Sequence, residues 1–518
     1  MSRGPVRSLR SLVALLSGLA ASSVAAEAGG EAVRETVRAW REQNDVAILR
    51  EFVELLRVPN VASDGPNIRR NADLIVGMLE RRGVTARLLE AEGPPPVYGE
   101  LNVPGARHSL LVYAHYDGQP VDPSRWQGDP WSPVLRDRPL EDGGREVPIA
   151  APLDPEARLY GRSTSDDKAP IIGILAALDA LTAASIPLSV NLKLFLEGEE
   201  EAGSPHLGAV LDRHAALLKA DAWLLCDGPV HQSRRMQVFF GARGVAGLEV
   251  TLYGPNRSLH SGHYGNWAPN PAVGLAHLIA GLRDRDGRIT IEGFYDDVRP
   301  LTASERAALA GVPDVDGDLR RELGLAATEA GGARLVERIL LPALNVRGVE
   351  AGRVGAGAAN AIPTEATASI DLRLVPDQTP ESVRRRLEAH LAAQGYHVVH
   401  ETPAVEVRRR HERLVKLDWG TGGYPPARTS LDLPVARAVL RTVEEASGGP
   451  VVRMPSLGGS VPMHLFAEKV GVPVIGVPIA NHDNNQHAAN ENIRLQNLWD
   501  GIEVYAVLLA RLGAVMAP

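Results

Sequence analysis

Residues 110–117 read Leu-Leu-Val-Tyr-Ala-His-Tyr-Asp, a short apolar run that ends in a histidine and an aspartate. Two later runs, Val190–Leu196 and Ala222–Cys226, are also largely apolar, and each leads into acidic residues. Such runs are typical of buried parallel strands, although Asn191 and Lys193 predict one wetter face for the second. Ligand sites in open α/β sheets lie at the carboxyl ends of the strands, so the three endings predict one shared site.

The chain has two kinds of hydrophobic pattern. Strands alternate with helical stretches such as Val46–Leu56 and Ala169–Leu181 in the first half, which is typical of an α/β sheet. After Gln237 the pattern becomes α+β, with an alternating strand over Glu365–Val375, and the α/β pattern returns from about Tyr424. We therefore predict an α/β domain with a mostly parallel central sheet flanked by helices, interrupted by an inserted α+β domain. The predicted parts are residues 27–237 and 411–518 for the α/β domain and residues 238–410 for the insertion.

The N-terminus has the order of a signal peptide. Arg3, Arg7 and Arg10 precede the apolar stretch Leu12–Ala21, and small residues follow. A signal peptide over residues 1–26 is therefore predicted, with export to the periplasm or the extracellular space. The apolar stretch is too short for a permanent membrane span, so none is expected after processing. An amphipathic helix retained on the mature protein is the alternative.

The overall composition excludes some partners. The chain has 518 residues and a formal net charge of -8, so it lacks the basic surface that nucleic acid requires. Its single cysteine, Cys226, cannot form a disulfide within the chain.

Histidines and carboxylates accumulate beyond the predicted strand ends. Two further polar stretches, Gly161–Lys168 and Asn481–Glu491, add to the three strand endings. Each stretch alone has an ordinary structural explanation as a capped turn, a solvated helix start or a solvated face. Together they mix imidazoles with carboxylates, a ligand set that suits zinc better than magnesium or calcium. The joint pattern favours a metal site.

Six motifs occur in a fixed order along the chain: H-x-D, G-R-x-x-x-D-D-K, E-G-x-E-E-x-G-S, an aspartate closing a strand, G-G-S-x-P and H-x-x-N-E. This order resembles the co-catalytic zinc hydrolases that include carnosinase, cytosolic non-specific dipeptidase, aminoacylase and succinyl-diaminopimelate desuccinylase. The resemblance covers nearly everything after the predicted signal peptide. It implies that the α/β domain is catalytic and that the insertion is a lid and dimerisation domain.

The resemblance also implies a two-metal centre with a shared ligand. One ion would be held by His115, Asp166 and Asp227, and the other by Asp166, Glu201 and His487, with Asp166 bridging. The cofactors implied are two divalent ions per subunit, Zn²⁺ in the first place and Mn²⁺ or Co²⁺ as alternatives. The family's cis peptide is implied between Asp166 and Asp167, and His482 is a second candidate for the late histidine ligand.

Catalytic and substrate-binding roles follow from the same resemblance. Glu200 would be the general base that takes a proton from a metal-bridging water, and Asp117 would orient His115. Glu199 stands where dipeptidases commonly have methionine, and the following Ala-Gly-Ser fixes the catalytic pair as Glu200 and Glu201.

Residues of the insertion complete the implied site. His260 would reach the active site of a partner subunit, which implies a homodimer. The implied substrate-binding residues are Asn360, Arg373 and Ser460. A turn cap is the structural alternative for His260, and an internal salt bridge is the alternative for Arg373.

The stretch Gly293–Val298 and the long insertion favour the dipeptidase branch of these hydrolases. We therefore expect a metallopeptidase that cleaves dipeptides or short peptides near a free carboxylate. A deacylase or desuccinylase of N-acyl amino acids with the same two-metal site is the alternative. A metal-dependent binding protein without catalysis is the alternative from another class.

Overall fold

The computed structural model describes residues 29–516, so the predicted signal peptide over residues 1–26 lies outside the described residues. These residues form two compact units. The first contains the chain up to Phe239, Thr429–Arg453 and the chain from Leu465 onward, and the second contains Phe240–Arg428 and Met454–His464.

Strands of both units are numbered here in chain order. They are β1 (Thr85–Leu88), β2 (Val97–Leu101), β3 (Ser109–His115), β4 (Val134–Arg136), β5 (Arg158–Tyr160), β6 (Asn191–Glu197), β7 (Ala222–Leu225), β8 (Gln237–Phe239), β9 (Gly241–Ala242), β10 (Gly244–Tyr253), β11 (Leu259–His260), β12 (Ala343–Glu350), β13 (Ala361–Ile362), β14 (Glu365–Leu374), β15 (His397–Val399), β16 (Leu414–Trp419), β17 (Ala427–Arg428), β18 (Val452–Met454), β19 (Val474–Gly476) and β20 (Asn492–Arg494).

Helices are numbered in the same way. They are α1 (Gly30–Leu56), α2 (Gly65–Glu80), α3 (Lys168–Ala183), α4 (Leu207–Leu218), α5 (Ser261–Tyr264), α6 (Pro271–Leu282), α7 (Ala303–Ala310), α8 (Asp316–Glu322), α9 (Leu335–Arg338), α10 (Pro380–Ala393), α11 (Val405–Arg410), α12 (Pro434–Ser447), α13 (Met463–Leu465) and α14 (Leu495–Met516). A short 3-10 turn over Glu200–Ala202 is important for the site described below.

The first unit is built on a mixed sheet with a parallel centre. Within the described residues its strand order is β1-β2-β6-β3-β7-β19-β8-β18, and β6, β3, β7 and β19 run parallel. Strands β1, β2 and β8 pair antiparallel at the two sides of this centre. Helix α3 is buried along nearly its whole length and packs against α1 and α14. The predicted α/β fold with a mostly parallel central sheet and flanking helices is confirmed.

Each of the three predicted site-bearing strands is present. Val112 and Tyr113 of β3 are fully or almost fully buried, as the continuous apolar run predicts. Lys193 lies on the wetter face of β6, where its Nζ donates to the carbonyls of Leu217 and Lys219 at 2.8 Å each. His115 at the end of β3 is in register with Glu197 at the end of β6, so the strand ends lie side by side.

A five-stranded sheet forms the core of the second unit, in the order β12-β14-β10-β16-β15 for the part of the chain that the structure describes. Burial alternates along β14, where Ala366, Ala368, Ile370 and Leu372 face the core, as the sequence predicts. Buried residues of α6 and α10 belong to the same core.

The predicted division differs from the structure in two places, one of which is Met454–His464, predicted as part of the α/β domain but a part of the second unit. The insertion was expected to end at residue 410, whereas the second unit continues to Arg428. The physical reason is that β16 pairs antiparallel with β10 and therefore completes the sheet of the second unit. In the described range, no helix combines the length and the apolar character that a membrane crossing needs.

Candidate metal centre

His115 and Asp117 lie at the end of β3 and are fully buried. The Nδ1 atom of His115 lies 3.2 Å from the backbone oxygen of Asp117 and 3.4 Å from its Oδ1 atom. The Asp117 carboxylate also accepts hydrogen bonds from the backbone N–H groups of Glu200 at 3.1 Å and Glu201 at 3.0 Å. One aspartate therefore orients the imidazole and holds the 3-10 turn that carries two glutamates.

A second cluster consists of Asp166, Glu201 and His487, whose candidate ligand atoms lie within 4.8 Å of one another. The Nε2 atom of His487 is 3.1 Å from Asp166 Oδ2 and 3.1 Å from Glu201 Oε2. These are the three residues that the sequence predicts for one of the two ions. His482, the other candidate, is not a member of this cluster.

The other cluster consists of His115, Glu200 and Asp227, with the same 4.8 Å limit. The predicted set had Asp166 in place of Glu200. Asp166 nevertheless contacts this cluster too, because its Oδ1 atom lies 3.0 Å from Nε2 of His115. Asp166 thus touches a histidine of each cluster, as a bridging ligand would, and the Asp166–Asp167 peptide is cis, as the resemblance implies.

The donor set suits divalent cations. Two imidazoles meet the carboxylates of Asp166, Glu200, Glu201 and Asp227, the mixed nitrogen and oxygen shell that zinc-type ions prefer. Burial and the charge of Asp166 raise the pKa of Asp227 to about 7. Burial, together with the charges of Asp227 and Asp166, raises the pKa of Glu200 well above its usual value. This crowding of buried negative charge is what bound cations would relieve.

The two histidines have raised pKa values. Hydrogen bonds with Asp166 and Glu201 raise the pKa of His487 to about 10. Burial opposes protonation of His115, yet its hydrogen bonds with Asp117 and Asp166 raise its pKa well above the usual value. The raised pKa values favour the protonated form of both imidazoles, so a metal ion that binds them displaces protons.

We expect metal binding to release protons and to strengthen as the pH rises from 6 toward 10. The sign follows from the raised histidine pKa values. Below these pKa values protons compete with the metal, and each proton that the metal must displace weakens binding by about tenfold for every unit by which the pH falls. Titration of the metal-free protein with Zn²⁺ in weakly buffered solution containing an indicator dye measures the release.

Variants of the two late histidines provide the control. His487→Gln should release fewer protons than the wild type, whereas His482→Gln should match it. Metal affinity that does not change over this pH range would contradict the assignment.

Glu491, the last residue of the H-x-x-N-E motif, is a buried residue of the site. Its carboxylate accepts from the backbone N–H groups of Ser163, Ser165 and Asp166 at 2.9–3.0 Å and from the Ser165 hydroxyl at 2.9 Å. Nη1 of Arg162 donates to the same carboxylate at 2.8 Å. Glu491 therefore folds the loop that ends in Asp166. The H-x-x-N-E motif was the available signal.

We expect Glu491→Gln to lower metal affinity by roughly 10–100-fold, the usual effect of losing a group that positions a ligand. A glutamine has one acceptor oxygen in place of two, so part of the loop loses its partners. Competition with a chromophoric chelator measures the affinity. Glu503→Gln is the matched control, because Glu503 is also a buried carboxylate paired with an arginine, Arg38, at 2.7 Å. An equal loss in both variants would contradict the positioning role.

Two glutamines that none of the six motifs includes as a fixed residue also contact the proposed ligands. Nε2 of Gln119 donates to Oε2 of Glu201 at 2.8 Å, and Nε2 of Gln486 donates to Oδ2 of Asp166 at 2.9 Å. Their positions two residues after Asp117 and directly before His487 were the only signal.

The four remaining predicted residues belong to the second unit. Arg373 donates from Nη1 to the Ser460 hydroxyl at 2.8 Å and from Nε to Asp371 at 3.0 Å. Nδ1 of His260 accepts from the backbone N–H of Gly262 at 3.1 Å, and the Asn360 carbonyl accepts from the N–H of Ser261 at 2.8 Å. The structure thus contains the turn cap and the salt bridge considered as alternatives, and substrate contact by these residues stays a prediction.

The chain is similar to known proteins over most of its length. A protein-family model described as Peptidase family M20/M25/M40 matches residues 111–511. The chain is 26% identical over 490 residues to the Cys-Gly metallodipeptidase dug1 of Schizosaccharomyces pombe, covering 90% of this chain and 96% of that protein. It is 26% identical over 431 residues to the Beta-Ala-His dipeptidase of Homo sapiens, covering 81% and 78%. Among solved structures, the M20 family metallo-carboxypeptidase Sso-CP2 of Sulfolobus solfataricus matches with a TM-score of 0.72 and 31% identity, covering 90% of this chain and 99% of that one.

Proposed function

The chain belongs to peptidase family M20/M25/M40, and from this premise we propose that it hydrolyses dipeptides and other short peptides in a metal-dependent reaction. The observation that carries the proposal is the joint cluster of two histidines and four carboxylates. Five of these six side chains are the predicted metal ligands, and the sixth is the predicted base, Glu200. The similarity to two dipeptidases over most of the chain supports the choice of substrate.

Residues of the cluster have separate tasks. His115, Asp166 and Asp227 would hold one ion, and Asp166, Glu201 and His487 the other. When bound, the ions would polarise the peptide carbonyl and lower the pKa of water. A carboxylate oxygen of Glu200 would accept a proton from the attacking water and deliver it to the leaving amine nitrogen. Asp117 keeps Glu200 in place through the hydrogen bond from its backbone N–H.

Arg373 and Ser460 would bind the free carboxylate of the substrate. A guanidinium group can pair with a carboxylate through two parallel hydrogen bonds. Nη1 of Arg373 lies 2.8 Å from the Ser460 hydroxyl, so both groups can form hydrogen bonds with one small anion. The similar Sulfolobus protein is a metallo-carboxypeptidase, which agrees with cleavage next to a C-terminal carboxylate.

Three further features are part of the proposal. The physiological ion would be Zn²⁺, because the two histidines and the carboxylates form a borderline ligand set. The working form would be a homodimer in which His260 serves the active site of the partner subunit. The protein would be exported to the periplasm or the extracellular space, as the N-terminal sequence indicates.

A substrate panel tests the function directly. Purified full-length protein is incubated with dipeptides, tripeptides and N-acyl amino acids, each with chelator and with added Zn²⁺ or Mn²⁺. Metal-dependent cleavage of dipeptides is expected. Cleavage of only the acylated compounds would replace the proposal with the deacylase, and binding without cleavage of any compound would favour the non-catalytic binding protein.

A further inference from the structure

A second arginine lies close to Arg373 within the second unit, because Arg243 comes two residues before Val245, which pairs with Arg373 across β10 and β14. Arg243 directly precedes β10 and is only 7% exposed. Its Nη2 atom donates to the carbonyl of Leu341 at 2.9 Å. Its backbone N–H donates to the carbonyl of Gly459 at 3.2 Å, next to Ser460. Arg243 is therefore attached to the segment that presents one of the proposed substrate-binding residues.

The charges at this place do not balance. The charged groups that act on Arg243 are Arg373, which opposes its protonation, and Asp371, which favours it. Asp371, the carboxylate that favours the charge of Arg243, already accepts a hydrogen bond from Nε of Arg373. The Nε atom of Arg243 is buried and has no hydrogen-bond partner in the part of the chain that the structure describes. A buried cation without a full counter-charge is costly unless an anion joins it.

Arg243 keeps its charge under physiological conditions. Burial and the charge of Arg373 lower the pKa of Arg243, but only to about 10, so the guanidinium is protonated at neutral pH. Arg373 is more accessible than Arg243, since 34% of the Arg373 side chain is exposed and Arg243 is buried. An incoming anion would therefore meet Arg373 first, with Arg243 behind it.

We infer that Arg243 is a positioning residue for the substrate carboxylate: it supplies the second positive charge behind Arg373, beside the segment that presents Ser460. This inference rests on the proposed function and assigns it a selectivity, namely for peptides with a free C-terminal carboxylate over the corresponding amides. The charge acts through Arg373, because Arg243 is buried and its Nη2 atom donates to the Leu341 carbonyl.

The test compares a dipeptide with its C-terminal amide. For Arg243→Met we expect KM for the dipeptide to rise by roughly tenfold, with a smaller change in kcat, because one nearby charge is lost. The amide has no carboxylate, so its KM should stay unchanged and the preference for the acid should shrink by the same factor. Arg243→Lys keeps the positive charge and should retain most of that preference.

Arg428→Met is the matched control. Arg428 is another arginine of the second unit whose side chain is largely buried, with 5% exposed, but it is paired with Glu305 at 3.2 Å. This variant should keep the preference of the wild type for the acid. An unchanged preference in Arg243→Met, or an equal loss in the lysine variant, would overturn the inference.

Calorimetric binding of a free amino acid and of its amide separates this inference from the proposed function. A preference of the wild type for the acid that is lost in Arg243→Met would support the role of Arg243 even if no peptide were hydrolysed. Equal binding of both compounds by the wild type would overturn it.

Discussion

Glu200→Gln is expected to lower kcat by roughly 10²–10⁴-fold, the range that general acid–base catalysis contributes. Glutamine keeps the size of the side chain but cannot accept the proton of the attacking water. The structure gives Glu200 the environment of a base, because it lies beside His115 and Asp227 and its pKa is raised by burial and by the neighbouring carboxylates. Steady-state kinetics with a dipeptide measures the effect.

The adjacent residue provides the control. Glu199 is buried as well, but its carboxylate accepts from the backbone N–H of His206 and lies 2.9 Å from the Nδ1 atom of that histidine. Glu199→Gln should therefore leave kcat within a few-fold of the wild type, and metal analysis should find both ions retained in Glu200→Gln. An inactive Glu199→Gln beside an active Glu200→Gln would move the catalytic pair by one residue.

The strand ends of the site could be predicted because burial leaves a clear signal in sequence. β3, β6 and β7 are apolar runs, and their parallel pairing brings His115 and Asp227 to one edge of the sheet. The ordered motifs then placed Asp166 and His487, which are separated from these strands in sequence and could not be located by periodicity alone.

Other features left little local signal. Helix α1 begins at Gly30, well before the predicted start at Val46. The first half of the helix has few apolar residues, so hydrophobic periodicity does not indicate it. That half is held by arginines: Arg34 donates to the carbonyl of Ala446 at 3.3 Å, and Arg38 pairs with Glu503. Pairing over long sequence distances decides such elements, as it does for β16, whose partner β10 lies more than 150 residues earlier.

Sequence patterns also do not indicate most of the hydrogen bonds that hold the site together. Glu491 binds a loop more than 300 residues away, and Asp117 holds the turn of Glu200 through backbone groups. A backbone N–H has no residue identity, so a sequence shows the acceptor but not the donor. The sequence therefore predicts the candidate ligands and Asp117, whereas the contacts of Glu491, Gln119 and Gln486 are found only in the structure.

Asp166→Asn is expected to weaken the binding of both metal ions, by at least about 100-fold, since a ligand should matter no less than the groups that position ligands. The reason is geometric: Asp166 lies 3.0 Å from His115 in one cluster and 3.1 Å from His487 in the other. Asparagine is nearly isosteric but removes the negative charge and one acceptor oxygen. Metal content after dialysis against buffered Zn²⁺ measures the loss.

Asp227→Asn distinguishes a bridging ligand from an ordinary one. Asp227 belongs only to the cluster with His115 and Glu200, so its variant should lose one ion and keep the ion held by Glu201 and His487. If Asp166 bridges, Asp166→Asn must lose both ions. Added Zn²⁺ should then raise the unfolding temperature of either variant by less than it raises that of the wild type. Retention of one tightly bound ion by Asp166→Asn would show that the two clusters bind independently, because a shared carboxylate cannot be neutralised for one ion alone.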